Sequence, residues 1–372
     1  MKRKFVISGQ LMMLATLVSL FPVELRAQDA GQLTWREYPS LPDELGVAGP
    51  FAGVHNDALI VAGGANFPRP VWKSSKVWRD RIFVLIKRGN GFTWLDGGQL
   101  PRPTAYGAAV STPHGVVCIG GNDATNTFRH VMLLKWDPTT STINMTEYPS
   151  LPKPCAFGAA AFVGQTIYLA GGQQDASLRT AMTNFWMLDL SQRQHPKQFV
   201  WKKLTPWPGA ARALNLTVHQ HNGMHDCVYV ISGRRQNGSD ARSTEFLTDV
   251  WEYSVHNKKW RRRADVPRCV MAGVGIADGA NRILVLGGAD GSLFFRADEL
   301  KDQHPGFPKQ ALAYQTDNDS WTQAGPLPQN QVTTIAVRWN TSIVIPSGEV
   351  RPRVRSPKVW HIQSNGGARK PR

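Results

Sequence analysis

The chain has 372 residues, with 34 glycines, 25 prolines, four cysteines and a formal net charge of +16. This length allows a large buried core and would ordinarily suggest two or three domains. Runs with helical periodicity are missing beyond the first 25 residues, which excludes a mainly helical fold. A basic balance suits nucleic acid, an acidic surface or an anionic small molecule, but the basic residues are scattered rather than gathered in a stripe.

The first 27 residues have the pattern of a secretion signal. Residues 2–4 are basic, an apolar run extends from Phe5 to Phe21, and Ala27 offers a cleavage position. An uncleaved membrane anchor is the alternative, although polar residues 8–10 interrupt the run. We therefore predict a signal peptide over residues 1–27 and a periplasmic or otherwise exported protein, free of the membrane after cleavage. Export argues against nucleic acid as a partner.

An apolar strand pattern that ends in Gly-Gly or Ser-Gly recurs six times, at intervals of 51 to 61 residues. A period near 50 with Gly-Gly after a β run is typical of kelch repeats, which form β-propellers. Glycine suits these positions because a sharp turn after a buried strand leaves no room for a Cβ or requires an unfavourable φ. The pairs begin at Gly63, Gly120, Gly171, Ser232, Gly287 and Ser347.

Each pair lies within a longer pattern of four strands, which starts at a turn such as Leu100-Pro101 and ends at a tryptophan strand. We expect the tryptophans to pack between blades. The sixth repeat, with predicted strands over 333–337, 342–345 and 358–362, ends one strand short, and residues 33–38 resemble the missing tryptophan strand. An N-terminal strand would close the ring and remove its open edges. We therefore predict an all-β, six-bladed kelch-type propeller over residues 28–365, followed by a basic tail over residues 366–372.

The four cysteines show no metal-binding spacing. Cys118 and Cys227 lie in apolar strands, where a buried free thiol is the ordinary state. Cys155 and Cys269 lie two blades apart, so we do not expect them to pair even though an exported setting permits disulfides. The histidines, including His219 and His221, show no metal-ligand spacing either.

The densest polar segment follows the sixth pair, where Glu349 is the lone carboxylate among Arg351, Arg353 and Arg355. Ligands of propellers usually bind on loops at one mouth of the central channel. Arginine can bind a carboxylate through two hydrogen bonds, and a neighbouring glutamate can move protons. From residue chemistry alone, a surface ion pair is the more ordinary explanation of this cluster.

The segment Gly348-Glu349-x-Arg351-Pro352-x-x-Arg355 resembles a motif of the N-acetylneuraminate epimerase (sialic acid mutarotase) family. Residues 47–65 and 98–107 are similar to further segments of that family, in a cyclically permuted blade order. The resemblance implies an isomerase that interconverts the α and β anomers of N-acetylneuraminate, with Glu349 as proton acceptor and Arg355 binding the sugar carboxylate. Arg351 occupies a Lys/Arg position of the motif. Mutarotation requires a base and an acid, and we expect no metal and no cofactor.

Four other residues are expected at the mouth as secondary substrate-binding candidates. They follow a glycine pair or a Leu-Pro turn, and each is more often a turn residue than a ligand contact. The long loops over residues 67–80 and 234–248 are expected to shape the same mouth. The four candidates are Arg102, Arg234, Asn66 and Tyr106.

Three alternatives to this function remain open. The first is a non-catalytic kelch propeller that binds a protein or carbohydrate partner, because a fold does not fix a function. The second is a copper radical oxidase, for which the sequence offers no matching Tyr, His and Cys constellation. The third is an epimerase for another acidic sugar. The Glu349 segment favours the enzyme over the scaffold, since a scaffold has no need of a carboxylate and cations there.

Overall fold

The computed structural model describes Met1 and residues 33–364, and in these residues six four-stranded antiparallel sheets follow one another along the chain. Each sheet is one blade of a propeller. The predicted signal peptide (beyond Met1) and the predicted basic tail lie outside the described residues. No helix in the described part of the chain is long and apolar enough to cross a membrane.

The first five blades each take their four strands consecutively from the chain. Blade one has Phe51–His55, Ala58–Ala62, Arg81–Arg88 and Gly91–Gln99, and blade two has Ala108–Thr112, Gly115–Ile119, Val131–Asp137 and Thr142–Tyr148. Blade three has Ala159–Val163, Thr166–Ala170, Phe185–Asp189 and Lys202–Lys203. Blade four has Leu216–His221, Asp226–Gln236, Thr244–Ser254 and Lys259–Arg263, and blade five has Val274–Asp278, Arg282–Leu286, Gln310–Gln315 and Ser320–Pro326.

Blade six combines both ends of the described chain. Its first three strands are Val337–Trp339, Ser342–Pro346 and Val359–Ser364, and its outer strand is Leu33–Tyr38. The outer strand pairs along its whole length, from Leu33 opposite Ser364 to Tyr38 opposite Val359. The predicted N-terminal closure of the last blade is therefore confirmed. The inner strand covers Val337–Trp339 rather than the predicted residues 333–337, and the left-handed φ of +51° excludes Thr333 itself from a β-strand.

Short elements lie in the loops between strands. Two hairpins, Ala65–Asn66 with Val77–Trp78 and Glu349–Arg351 with Val354–Arg355, follow the first and last glycine pairs. One α-helical turn, Ala297–Leu300, lies in the loop between the second and third strands of blade five. The 3₁₀ turns are Leu178–Thr180, Leu190–Gln192, Ala241–Ser243, Phe294–Arg296 and Lys301–Gln303.

The hydrophobic core is divided into six main clusters, each lying between two neighbouring blades. Val117 and Ile119 pack toward blade three, whereas Val116 and Cys118 pack toward blade one. Successive residues of a strand face opposite sides, so a strand that is buried on both faces needs a continuous apolar run. This explains the unbroken apolar segments before the glycine pairs.

The tryptophans of the outer strands pack between blades, as the sequence predicts. Trp201 donates its indole N–H to the carbonyl of Pro149 at 2.8 Å, and Trp260 donates to Thr205 at 2.8 Å. Both acceptors lie two residues before the turn that opens the blade of the tryptophan itself. Trp94 and Trp321 make the equivalent bonds to Pro39 and Ala264.

A closed ring of six backbone hydrogen bonds surrounds the central channel. One residue per blade has a left-handed φ between +51° and +65°, and its N–H donates to the carbonyl of the equivalent residue in the preceding blade at 2.6–2.8 Å. The last bond, from Gly49 to Thr333, closes the circle between blades one and six. The ring residues are Gly49, Tyr106, Phe157, Leu214, Ala272 and Thr333.

We expect Gly49→Ala to lower the free energy of unfolding by roughly 1–3 kcal/mol through overpacking. A Cβ at Gly49 would lie 2.5 Å from the Cδ1 of Tyr106 and 2.6 Å from its backbone nitrogen. Ala272→Gly is the matched control, because it removes a Cβ from a ring position with φ of +56°. Urea unfolding should show a lower free energy of unfolding for Gly49→Ala and no decrease for Ala272→Gly. Equal effects would contradict the role of the ring.

All four cysteines are buried and free, which confirms the prediction for Cys118 and Cys227 and the expectation that Cys155 and Cys269 do not pair. Burial raises the pKa of Cys155 and of Cys227 to about 12, and it also raises the pKa of Cys118 and Cys269. A thiol reagent at neutral pH should therefore label none of them in the folded protein and all four after denaturation, and a reductant should leave the melting temperature unchanged. Fewer than four labelled thiols after non-reducing denaturation would reveal a disulfide.

Candidate active site

The last glycine pair places Glu349 at one mouth of the channel. The backbone of Glu349 pairs with that of Val332 at 2.9 Å, and Val332 precedes the ring residue Thr333. In each other blade, the residue that precedes the ring residue forms the same bridge with the residue after the glycine pair. The positions equivalent to Glu349 are thus Ala65, Asn122, Gln173, Arg234 and Ala289.

Glu349 and Arg355 form an ion pair at this mouth. The Oε1 atom of Glu349 lies 3.0 Å from a terminal nitrogen of Arg355 and also accepts the backbone N–H of Arg353 at 2.9 Å. The side chain of Arg355 is only 3% exposed, against 17% for Glu349. Burial alone would lower the pKa of Arg355, but the charge of Glu349 and the hydroxyl of Tyr106 offset it, so that its pKa is raised.

Tyr106 connects this ion pair to the ring of backbone hydrogen bonds around the channel. Its hydroxyl accepts a hydrogen bond from Arg355 at 3.4 Å, and its ring stacks on Phe157 with centroids 4.7 Å apart. Arg355 also donates through its Nε to the carbonyl of Ala65 at 3.3 Å. The predicted residues Glu349, Arg355 and Tyr106 are therefore brought together.

Arg234 occupies the equivalent position in blade four. Its guanidinium lies 5.0 Å from the ring centroid of Phe294, and its buried Nε has no hydrogen-bond partner among the described residues. Burial lowers the pKa of Arg234 to about 10, although the negative charge of Glu349 opposes this shift. Arg234 therefore stays positively charged at neutral pH and lies within electrostatic reach of Glu349.

Arg351 and Arg102 have other partners. Arg351 forms an ion pair with Asp302 at 2.9 Å and donates to the carbonyl of Lys301 at 3.3 Å, so it ties the last hairpin to the blade-five loop. Arg102 is exposed, and its guanidinium lies 5.2 Å from the ring centroid of Phe128. No contact within residues 33–364 joins Arg102 to Glu349 or Arg355.

The structure gives Asn66 a structural role instead of the predicted place in the mouth. Its side chain is completely buried, its Oδ1 accepts from Arg79 at 2.9 Å, and its Nδ2 donates to the carbonyl of Gly46 at 3.0 Å. Successive residues of a strand face opposite sides. Because Ala65 holds the mouth position, the side chain of Asn66 is turned away from it.

The long loop of blade one brings further side chains that the sequence analysis did not single out. Phe67, Trp72, Lys76 and Trp78 belong to it. Trp78 donates to the amide oxygen of Asn122 at 3.1 Å, and Trp72 donates to Asp302 at 3.3 Å. The only sequence signal was the length of the loop, since aromatic and basic residues without a motif do not identify a site.

Two cavities accompany this mouth. The channel holds a cavity of about 350 Å³ lined by the small residues of the inner strands, such as Ala108, Gly158 and Gly273. A second cavity of about 340 Å³ lies in blade five beside Phe294 and His304. Burial and the charge of Arg351 lower the pKa of His304. No group of three or more His, Cys, Asp or Glu side chains in the described ranges is placed to hold a metal ion.

We expect Asn66→Ala to cost about 1–3 kcal/mol of unfolding free energy, because Arg79 and the carbonyl of Gly46 lose buried partners. Asn257→Ala, at an exposed turn, is the matched control. Thermal and urea unfolding measure both variants. An Asn66 variant as stable as the control would contradict the structural role.

Comparison with known proteins agrees with this architecture. A family model described as N-acetylneuraminate epimerase matches residues 21–143 and 148–370. The N-acetylneuraminate epimerase of Brucella suis (strain ATCC 23445 / NCTC 10510) is 36% identical over 125 residues, which are 29% of this chain and 31% of that protein. That of Pasteurella multocida (strain Pm70) is 24% identical over 234 residues, or 57% of each chain. The matched part of the chain thus spans between 31% and 57% of the length of these relatives.

The solved structure of YjhT shows the same propeller fold, with a TM-score of 0.65 and 16% identity, over 88% of this chain and 97% of that one. At this identity the likeness concerns the fold alone. The cyclic permutation of the blades stays a prediction. The family model, however, covers nearly the whole sequence, and the chain therefore belongs to the N-acetylneuraminate epimerase family.

Proposed function

We propose that the protein interconverts the α and β anomers of N-acetylneuraminate by general acid–base catalysis, without a cofactor. Membership in the family supports the substrate. The observation that carries the proposal is the ion pair between Glu349 and the nearly buried Arg355 at the channel mouth. It combines a proton acceptor with a cation for an acidic sugar.

The reaction moves one proton and opens one carbon–oxygen bond. Glu349 takes the proton of the anomeric hydroxyl as the bond between the anomeric carbon and the ring oxygen breaks, and the protonated carboxyl then passes that proton to the ring oxygen. The open form is a 2-keto acid, whose carbonyl is attacked again from either face as the proton transfers reverse. Atoms and charge balance, and nothing is oxidised or reduced.

Substrate binding would also free Glu349 from its ion pair. The carboxylate of the sugar competes for the guanidinium of Arg355, which Glu349 contacts at 3.0 Å. Exchange of one carboxylate for the other releases Glu349 close to the anomeric centre, which is next to the sugar carboxylate. Arg234 supplies a further positive charge across the mouth.

Export belongs to the same proposal. A periplasmic enzyme would meet the α anomer as it is freed from glycans, with the segment over residues 1–27 as the cleaved signal. N-terminal sequencing of the mature protein tests this part. A first residue at or near position 28 is expected, and an intact Met1 would contradict it.

The test is the rate at which freshly released α-N-acetylneuraminate approaches its equilibrium with the β anomer, followed by proton NMR. The wild-type protein should accelerate it, and Glu349→Gln should lower the acceleration by about 10²–10⁴-fold while the circular dichroism spectrum stays that of the folded protein. Glu37→Gln is the control, because Glu37 forms an exposed ion pair with Lys358 on the outer strand. A wild-type protein without acceleration would leave a non-catalytic propeller that binds protein or carbohydrate as the better account.

A further inference from the structure

Three positive charges converge on the ring of Phe67. The guanidinium carbons of Arg353 and Arg355 lie 5.1 and 5.0 Å from its centroid, and the Nζ of Lys76 lies 5.8 Å from it. Since each lies within 6 Å of the same centroid, no two can be farther apart than twice that distance. At such separations, like charges repel appreciably unless an anion lies among them.

One carboxylate is paired with this group. Glu349 forms an ion pair with Arg355, whereas Lys76 and Arg353 have no carboxylate partner within the described ranges. Arg353 instead lies against two aromatic rings, with its guanidinium carbon 5.1 Å from the centroid of Phe67 and 5.0 Å from that of Trp72. The group therefore carries a local excess of positive charge that favours an anionic ligand.

Arg355 does not serve such a ligand alone. Its side chain is almost fully buried, and it already contacts the carbonyl of Ala65, the hydroxyl of Tyr106 and the carboxylate of Glu349. Lys76 is half-buried, so its amine remains within reach of a ligand at the mouth.

Tyr106 contacts both Lys76 and Arg355. The Nζ of Lys76 lies 5.0 Å from the centroid of the Tyr106 ring, whose hydroxyl accepts from Arg355, and 5.3 Å from that of Trp78. Contacts with three rings hold the amine in place through cation–π attraction and leave its hydrogen-bond donors for a ligand. Lysine binds an anion as a point charge, without a required approach direction.

We propose that Lys76 binds the carboxylate of the acidic sugar, as a second cation beside Arg355. This inference rests on the proposed function. Lys76 makes the site selective for sugar acids over neutral sugars, because the charge of a partly desolvated amine is balanced only by an anionic ligand.

The test uses three variants of the full-length protein in the anomerisation assay. Lys76→Met keeps the aliphatic stem against the rings and removes the charge, and it should raise KM about tenfold or more while kcat changes much less. Lys76→Arg should recover most of the affinity. Lys73→Met is the matched control, because Lys73 is exposed in the same loop and should behave like the wild type.

The methyl ester of N-acetylneuraminate isolates the charge of the ligand. The wild type should bind the ester weakly, and Lys76→Met should weaken ester binding no further. The loss of affinity caused by esterification and the loss caused by the substitution should therefore not be additive. Equal losses of affinity for the acid and the ester would show that Lys76 acts on packing alone and would overturn the inference.

Failure of this inference is distinguishable from failure of the proposed function. If the wild type accelerates anomerisation and Lys76→Met matches Lys73→Met in KM, the inference alone is wrong. If the wild type is inactive, tryptophan fluorescence titration with N-acetylneuraminate decides, since Trp78 lies beside Lys76. Binding that weakens at least tenfold in Lys76→Met would uphold the anion site, and equal or absent binding would overturn it.

Discussion

The ring of six backbone hydrogen bonds around the channel is the constraint on which the other features of the molecule depend. It requires a residue with a left-handed backbone conformation at the start of every blade, and five of the six such residues are not glycine. Such conformations cost energy, so they persist only where neighbouring structure fixes them. Here each ring residue is fixed by the blade before it, and the circle closes only when all six blades are present.

The ring also decides which side chains meet at the mouth. The residue before each ring residue pairs with the residue after the glycine pair, so six equivalent positions surround the channel. The backbone at these positions has nearly six-fold symmetry, but the side chains differ from blade to blade. Ala65 and Ala289 leave space, whereas Glu349 and Arg234 carry opposite charges. A repeated scaffold thus presents one asymmetric site, completed by the loop of blade one and the last hairpin.

Most of the fold could be predicted from the sequence because its cause is local and repeated. The glycine pairs, the tryptophan strands and the incomplete sixth repeat each report a strand or a turn, and together they predict six blades closed by the N-terminal strand. The prediction that the last inner strand includes Thr333 was wrong. Thr333 belongs to the hydrogen-bonded ring that spans all blades, and its left-handed conformation there excludes it from the strand. No sequence pattern reports a hydrogen bond between residues of different blades.

The site was only partly predictable for the same reason. Glu349 and Arg355 lie in one short motif, and the structure brings them together. Lys76 and Phe67 lie roughly 280 to 290 residues before Arg355 in the sequence, and only the closed propeller makes them neighbours. Asn66 was misplaced by one position: since side chains alternate along a strand, a shift of one residue exchanges the mouth for the interior.

The most direct test of this account is a crystal structure of the protein with bound N-acetylneuraminate. We predict that the sugar lies at the mouth formed by the residues after the glycine pairs, with its carboxylate between Arg355 and Lys76 and its anomeric hydroxyl within hydrogen-bond distance of Glu349. A sugar bound at the opposite mouth or on the outer strands, with the ion pair of Glu349 and Arg355 undisturbed, would contradict it.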